Sequence, residues 1–307
     1  MEYITGTTEF HIDEPTVISF GKFDGLHRGH ELLMDCMQKK RRQGLKTVVF
    51  TFDIPPKRLA QKEEGKVLTT NAEKEFVFER IGVDYLIECP FTPELMCMEP
   101  EEFLTAMVKQ MNVKCIVVGK DFHFGHNRSG DYHTILKQAD KLGYEAQVME
   151  KIRYEGRDIS STFIREEITK GEIEKANELL GYHFFVQGEI VHGNHMGGPV
   201  LGFPTVNLLP PPEKLLPPNG VYLTETEIEG RIYQGISNVG NKPTIAGDNP
   251  LGVETHLLNF NRNIYGSHIK VEFLKRVRPE LRFLSVEELK HQMQEDIAFA
   301  GRFFAGY

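Results

Sequence analysis

The sequence predicts two domains in one chain: an α/β domain built on a parallel sheet, then an antiparallel β-barrel with a terminal helix. Three observations carry this. The chain has 307 residues, about twice a common domain length. Its first half alternates short apolar, β-rich runs with helical patterns. Its second half strings strand-like runs together with no helix until the last stretch. Parallel strands need long crossovers, which helices supply, whereas strands joined by turns form antiparallel sheets.

In the first half, Val17 to Gly21, Lys46 to Phe52, Asp84 to Glu88, Cys115 to Gly119 and Glu145 to Met149 read as strands. Between them, Gly29 to Arg42, Asn71 to Ile81, Pro100 to Met111 and Asp131 to Leu142 have helical spacing. A sheet of this kind binds ligands at the carboxyl ends of its strands. From Phe184 the pattern changes: Phe184 to His192, Val221 to Glu229, Arg231 to Asn238, Val253 to Phe260 and His268 to Arg276 are strand-like. Ser285 to Phe304 is the closing helix, with Ser285 and Glu288 spaced as in a capping box. The expected domains are therefore 1–183 and 184–307. The prolines between Pro210 and Pro218 form a loop inside the second domain, because strands flank them.

Composition narrows the function classes. Apolar residues make up 40% and charged residues 26%, as in a soluble globular protein. The formal net charge of −8 disfavours non-specific nucleic-acid binding, which needs a basic face. It leaves nucleotides open as ligands, since backbone N–H groups can hold phosphate within an acidic protein. Cys36, Cys89, Cys97 and Cys115 contain no C-x-x-C pair and read as reduced thiols of the cytosol. The start lacks a basic and apolar leader, and no run approaches about 18 apolar residues, so a cytoplasmic protein without a membrane span is expected. Nothing in the sequence fixes an oligomeric state.

The first motif, GKFDGLHRGH at Gly21 to His30, leaves a strand and enters a helix. Gly21, Gly25 and Gly29 let the backbone turn sharply and approach a ligand closely. His27 and His30 are three apart and share one helix face, at an N-terminus that already favours phosphate. Two imidazoles there can donate to oxygens that gain charge when the α-phosphate of ATP is attacked. The stretch resembles the H-x-G-H signature of nucleotidylyltransferases, and with Phe23 and Asp24 it resembles the G-x-F-D-G-x-H-x-G-H form of bacterial FAD synthetases. Further on, ISSTFIR at Ile159 to Arg165 precedes a helix. Ser160, Ser161 and Thr162 are N-cap types, and with Arg165 they suit the β- and γ-phosphates that leave as pyrophosphate. Between these lies VVGKDFHFGHNRSGD, Val117 to Asp131. Its His123, His126 and His133 have no zinc spacing. It resembles the family's wall for adenine and flavin, which implies Asp121 and Arg128 as flavin contacts. Pro55-Pro56 departs from the family's more common His-Pro.

The second motif is LGFPTVN, Leu201 to Asn207. Thr205 and Asn207 are two apart, so in extended backbone they point the same way and can both offer oxygens to Mg²⁺. With Gly202 and Pro204, the segment resembles the P-T-A-N motif of riboflavin kinases, Val206 standing for Ala. VETHLLNF at Val253 to Phe260 and NVGNKPT at Asn238 to Thr244 also resemble that family, which implies Glu254 as the base acting on the riboflavin 5′-hydroxyl. Arg278 in RPELRF matches the family's R-x-E-x-x-F run and is implied in flavin binding. One departure is Gly197-Gly198-Pro199, where the family commonly has Gly-Arg; His195 or Lys242 are the residues at hand to compensate.

The resemblance spans about Pro15 to Ile297. It implies an N-terminal nucleotidylyltransferase domain and a C-terminal six-stranded riboflavin kinase barrel with a closing helix. The implied enzyme phosphorylates riboflavin to FMN and adenylylates FMN to FAD, using ATP and Mg²⁺. The alternative is a monofunctional FAD synthetase whose C-terminal domain only binds flavin, which the missing arginine favours. A flavin-sensing binding protein has no need of His27, His30, Arg165 and Glu254. A class I tRNA synthetase relative would carry a K-M-S-K-S element and a basic face, and this chain has neither.

Overall fold

The computed structural model describes residues 1–53, 65–191, 205–241, 250–260, 262, 264 and 266–306. The chain divides into two compact units, Met1–Ser161 and Thr162–Tyr307. In order, the first unit holds β1 (Glu2–Thr5), β2 (Thr16–Phe20), α1 (Arg28–Arg41), β3 (Lys46–Phe52), α2 (Asn71–Ile81), β4 (Tyr85–Cys89), α3 (Pro93–Cys97) and α4 (Pro100–Gln110). It continues with β5 (Val113–Gly119), β6 (His123–Phe124), β7 (Gly130–Asp131), α5 (Tyr132–Leu142), β8 (Glu145–Met149), β9 (Arg153–Tyr154) and β10 (Arg157–Asp158). The main sheet runs β1-β4-β3-β2-β5-β8 with every pair parallel.

All five residues of β2 are buried, as are Cys115 to Val118 of β5. Such continuously buried runs fit strands covered on both faces. Helix α1 contributes buried Leu33, Met34 and Met37. The strand order reverses direction between β2 and β5, the point at which such sheets open a crevice for ligands. The loop after β2 is the glycine-rich motif, and the segment after β5 carries Asp121. The sequence pattern begins its strands at Val17; the structure adds β1 at the sheet edge, where the Tyr3 hydroxyl donates to Glu88 of β4.

Helix α6 (Ser161–Lys170) starts on the last residue of the first unit and runs into the second, followed by α7 (Ile173–Leu180), β11 (Phe185–Glu189), β12 (Val206–Leu208) and β13 (Gly220–Ile228). Then come β14 (Arg231–Asn241), β15 (Leu251–Leu257), β16 (His268–Pro279) and α8 (Val286–Ala305). The sheet order is β11-β16-β13-β14-β15-β12, antiparallel throughout. Its two edges nearly meet, since Val191 N donates to Asn207 O at 2.9 Å, so the sheet curls into an almost closed barrel. The sixth strand, β12, is three residues long and has no alternation to betray it.

The two faces of the barrel wall differ. On the inner face, Thr224, Ser237 and Thr255 are fully buried and their hydroxyls bond in a chain at 2.8 and 2.7 Å. On the outer face, Val221, Leu223, Ile236 and Leu274 pack with Ala300 and Phe304 of α8. Ser285 caps α8, its hydroxyl accepting from Glu288 N at 3.1 Å. The Glu288 carboxylate reaches back one residue further than a capping box needs, to Leu284 N at 2.9 Å.

Candidate active sites

In the first unit, His27 is the N-cap of α1 and His30 lies in its first turn. Their rings stack, with centroids 3.9 Å apart and planes 20° apart. Gly29 makes room for this: a Cβ there would lie 3.0 Å from two atoms of the His27 ring. Gly25 has φ +69°, the left-handed region that glycine enters at little cost. Phe23 also sits at positive φ, 48°, with its ring buried against Phe78 and His30. Gly21 continues the sheet, its N–H donating to Phe50 O at 3.1 Å.

Nδ1 of both histidines is buried without a hydrogen-bond partner among the described residues. Burial first, and then the charge of His30, pushes His27 down to about 2. Burial likewise lowers His30 to about 4, against the pull of a backbone bond to Gly25 and of the Asp121 and Asp24 carboxylates. Both rings are therefore neutral at pH 7, pre-stacked, and hold polar atoms that no described residue satisfies. Such a pair is poised to meet an incoming polar group.

Asp24 and Ser161 brace this loop. The Asp24 carboxylate accepts from Leu68 N at 2.7 Å and Thr69 N at 3.1 Å, and Gly25 N donates to the Thr69 hydroxyl at 3.0 Å. Ser161 Oγ donates to Asp24 O at 2.7 Å. Thr162 and Arg165 lie on α6 in the second unit, where Arg165 Nη2 donates to Thr162 Oγ1 at 3.4 Å. Asp121 pairs with Lys151 at 3.4 Å. Arg128 is exposed and left-handed, φ 58°, next to Asn127 at φ 52°; two adjacent residues of this kind mark strain of the sort that gathers at binding sites.

In the second unit the strand register builds a row. Asn207 of β12 lies opposite Glu254 of β15, Glu254 opposite Asn238 of β14, Asn238 opposite Val221 of β13, and Val221 opposite Arg278 of β16. Directly opposed residues share a face, so Asn207, Glu254, Asn238, Val221 and Arg278 form one line on the outer wall. Thr205 reaches the same line, its hydroxyl donating to Glu254 Oε1 at 2.6 Å. Between this wall and α8 lies a cavity of about 310 Å³, bordered by Thr205, Glu254, Asn238 and Arg278 and by Leu289, Met293 and Ile297. That size suits a small organic ligand.

Arg278 is committed within this wall. Its Nε and Nη2 donate to the Asp296 carboxylate at 3.0 and 2.6 Å, and Gln292 joins at 3.2 Å. The sequence assigns Asp296 no role, and marks Asn238 only as the first residue of the family-like NVGNKPT, not as a site residue. Opposite position on another strand, which reveals Asn238, needs the register; the mate of Arg278 needs the docking of α8. Gly202, Pro204, Pro55, Pro56, His195, Gly198, Pro199 and Lys242 lie outside the described residues.

Comparison with known proteins covers both units. The family model described as FAD synthetase matches residues 9–163, and that described as riboflavin kinase matches residues 180–304. The bifunctional riboflavin kinase/FMN adenylyltransferase of Listeria monocytogenes is 33% identical over 302 residues, covering 97% of this chain and 96% of the relative. That of Escherichia coli is 34% identical over 295 residues, covering 95% and 93%. A crystal structure from Streptococcus pneumoniae, described as a macrolide-efflux protein, superposes with a TM-score of 0.85 at 31% identity over 97% of each chain. Among the described residues of this chain, no helix is long and apolar enough to cross a membrane.

Proposed function

The chain belongs to the family of bifunctional riboflavin kinases/FMN adenylyltransferases, and from that premise we propose that it converts riboflavin to FMN at the barrel and FMN to FAD at the glycine-rich loop. We assign residues 1–183 to adenylyl transfer and 184–307 to the kinase, in the cytoplasm. The observation that carries the reading is the stacked, neutral pair His27 and His30 with its unsatisfied Nδ1 atoms.

In adenylyl transfer, a phosphate oxygen of FMN attacks the α-phosphorus of ATP and pyrophosphate leaves. His27 and His30 donate to the α-phosphate oxygens as charge builds on them. Gly21, Phe23, Gly25 and Gly29 shape the loop that lets the phosphates approach, and Asp24 keeps that loop closed. Ser161, Thr162 and Arg165 take the departing pyrophosphate, and Asp121 and Arg128 meet the flavin.

In the kinase, Glu254 takes the proton of the riboflavin 5′-hydroxyl as its oxygen attacks the γ-phosphorus, and ADP leaves. Gly202 and Pro204 belong to the same ATP loop. The Thr205 hydroxyl and the Asn207 side-chain oxygen are hard, neutral donors beside a carboxylate, a set that fits Mg²⁺. When bound there, Mg²⁺ offsets charge on the phosphates. Thr205, by donating to Glu254 Oε1, orients the carboxylate toward the cavity. Arg278 holds the flavin-side wall.

Incubation with riboflavin, ATP and Mg²⁺, followed by separation of riboflavin, FMN and FAD, tests the assignment. Glu254→Gln should lower FMN formation by about 10²–10⁴ and leave FAD formation from supplied FMN unchanged. Wild-type protein that makes FAD from FMN but no FMN from riboflavin would establish the monofunctional reading instead, to which Gly198 and Pro199, standing where the family has an arginine, give support.

A further inference from the structure

We infer that Asn238 is a specificity-determining residue of the kinase site, reading the secondary hydroxyls of the polyol chain that joins the flavin ring to its reacting hydroxyl. The inference rests on the proposed kinase reaction. It starts from the order of the row on the outer barrel wall: Asn207, Glu254, Asn238, Val221, Arg278. One end is polar, with Thr205 and Asn207 flanking the base. Beyond Asn238 the lining is Val221 and Ile236 on the barrel and Leu289, Met293 and Ile297 on α8, interrupted by Glu280 and by the paired Arg278 and Asp296.

The proposed reaction at Glu254 sets the orientation of a substrate with a flat apolar ring and a terminal hydroxyl. The hydroxyl meets Glu254 and the ring lies against the apolar wall. The chain between them then crosses Asn238. Neighbouring strands are about 5 Å apart, a span that a few carbon–carbon bonds of a polyol cover, so the secondary hydroxyls fall opposite the carboxamide.

The side chain is ready for that contact. It borders the cavity, and its amide has no hydrogen-bond partner among the described residues. The absence of a side chain at Gly240 leaves the space it occupies: a Cβ there would stand 3.2 Å from Asn238 Nδ2. A carboxamide offers donors and an acceptor at once, which matches hydroxyls that also do both. A solvated strand asparagine with no ligand role would make no distinction between substrates.

The test compares two substrates on the full-length protein: riboflavin, and a flavin of the same ring whose side chain is 5-hydroxypentyl, so that only the secondary hydroxyls are missing. kcat/KM is measured for each, with flavin affinity from fluorescence quenching. Asn238→Ala should lower kcat/KM for riboflavin about tenfold or more, the effect of one or two lost hydrogen bonds, and change that for the hydroxypentyl flavin less than twofold. Asn238→Ser, which keeps a hydroxyl on a shorter stem, should fall between. Equal losses on the two flavins, or wild-type protein that treats them alike, would overturn the inference while leaving the kinase reading intact. Wild-type protein that neither binds nor phosphorylates either flavin would overturn both.

Discussion

His27 and His30 show how two side chains can be held ready at a cost in acid. An unfolded histidine titrates near 6.5, and burial lowers these two to about 2 and about 4 in the folded protein. Between roughly pH 6.5 and 4 the unfolded chain therefore binds more protons than the folded one. Stability then falls as pH falls through that window, by about 1.4 kcal/mol per pH unit for each histidine, and neither contributes to pH dependence above it. The urea midpoint of the wild type should drop more steeply between pH 6.5 and 4.5 than that of the His27→Asn, His30→Asn double variant. Equal slopes would mean that the rings are not neutral and buried. At neutral pH each single substitution should lower FAD formation by roughly 10²–10³, with FMN formation within a few-fold. A parallel loss of both products in folded protein would defeat the assignment of two separate sites.

At the scale of elements, the terminal helix forms one wall of the cavity and is tied to β16 by Arg278 and Asp296, whose side chains are 17% and 8% exposed. Removing one partner strands the other charge in a nearly dry place, which costs about 3–5 kcal/mol. Asp296→Ala should therefore lower the urea midpoint sharply, whereas Arg278→Met combined with Asp296→Leu should recover most of it, because apolar replacement removes both desolvation costs. No recovery in the double variant would show that the pair is not an isolated tie. This tie also marks where reading the sequence stops. His27, His30 and the glycines between are legible because their whole geometry lies within ten residues of chain. Glu254 and Thr205 are legible by resemblance, yet their 2.6 Å contact joins positions 49 apart in sequence. Asn238 opens a segment that the resemblance picks out, but its place beside Glu254, like the pairing of Asp296, becomes visible only through strand register and helix docking, to which local periodicity is blind. β1 and β12 escape for a simpler reason: four and three residues are too few to show alternation.

Across the whole molecule, the compact units meet at Ser161 and Thr162, whereas the family models leave residues 164–179 unmatched between them. The helices α6 and α7 occupy that interval, and α7 lies on the barrel. Its Asn177 donates to Phe273 O and accepts from Phe184 N, each at 2.8 Å, and its Glu174 pairs with Lys275 at 2.6 Å. Ile173, Ala176, Leu179 and Leu180 are all buried. A cut after residue 183 thus separates the kinase barrel from a helix that covers it, even though every kinase motif lies downstream. A fragment of residues 172–307 should be more stable than one of residues 184–307, by on the order of 3 kcal/mol for the apolar surface uncovered and for the lost partners of Phe184 N and Phe273 O. Both should show the same riboflavin phosphorylation per folded molecule, since Thr205, Asn207, Asn238 and Glu254 are common to them. Urea midpoints measured side by side decide this: equal midpoints would make residue 183 a boundary of packing as well as of function. A stable but inactive shorter fragment would instead give α7 a part in shaping the kinase site.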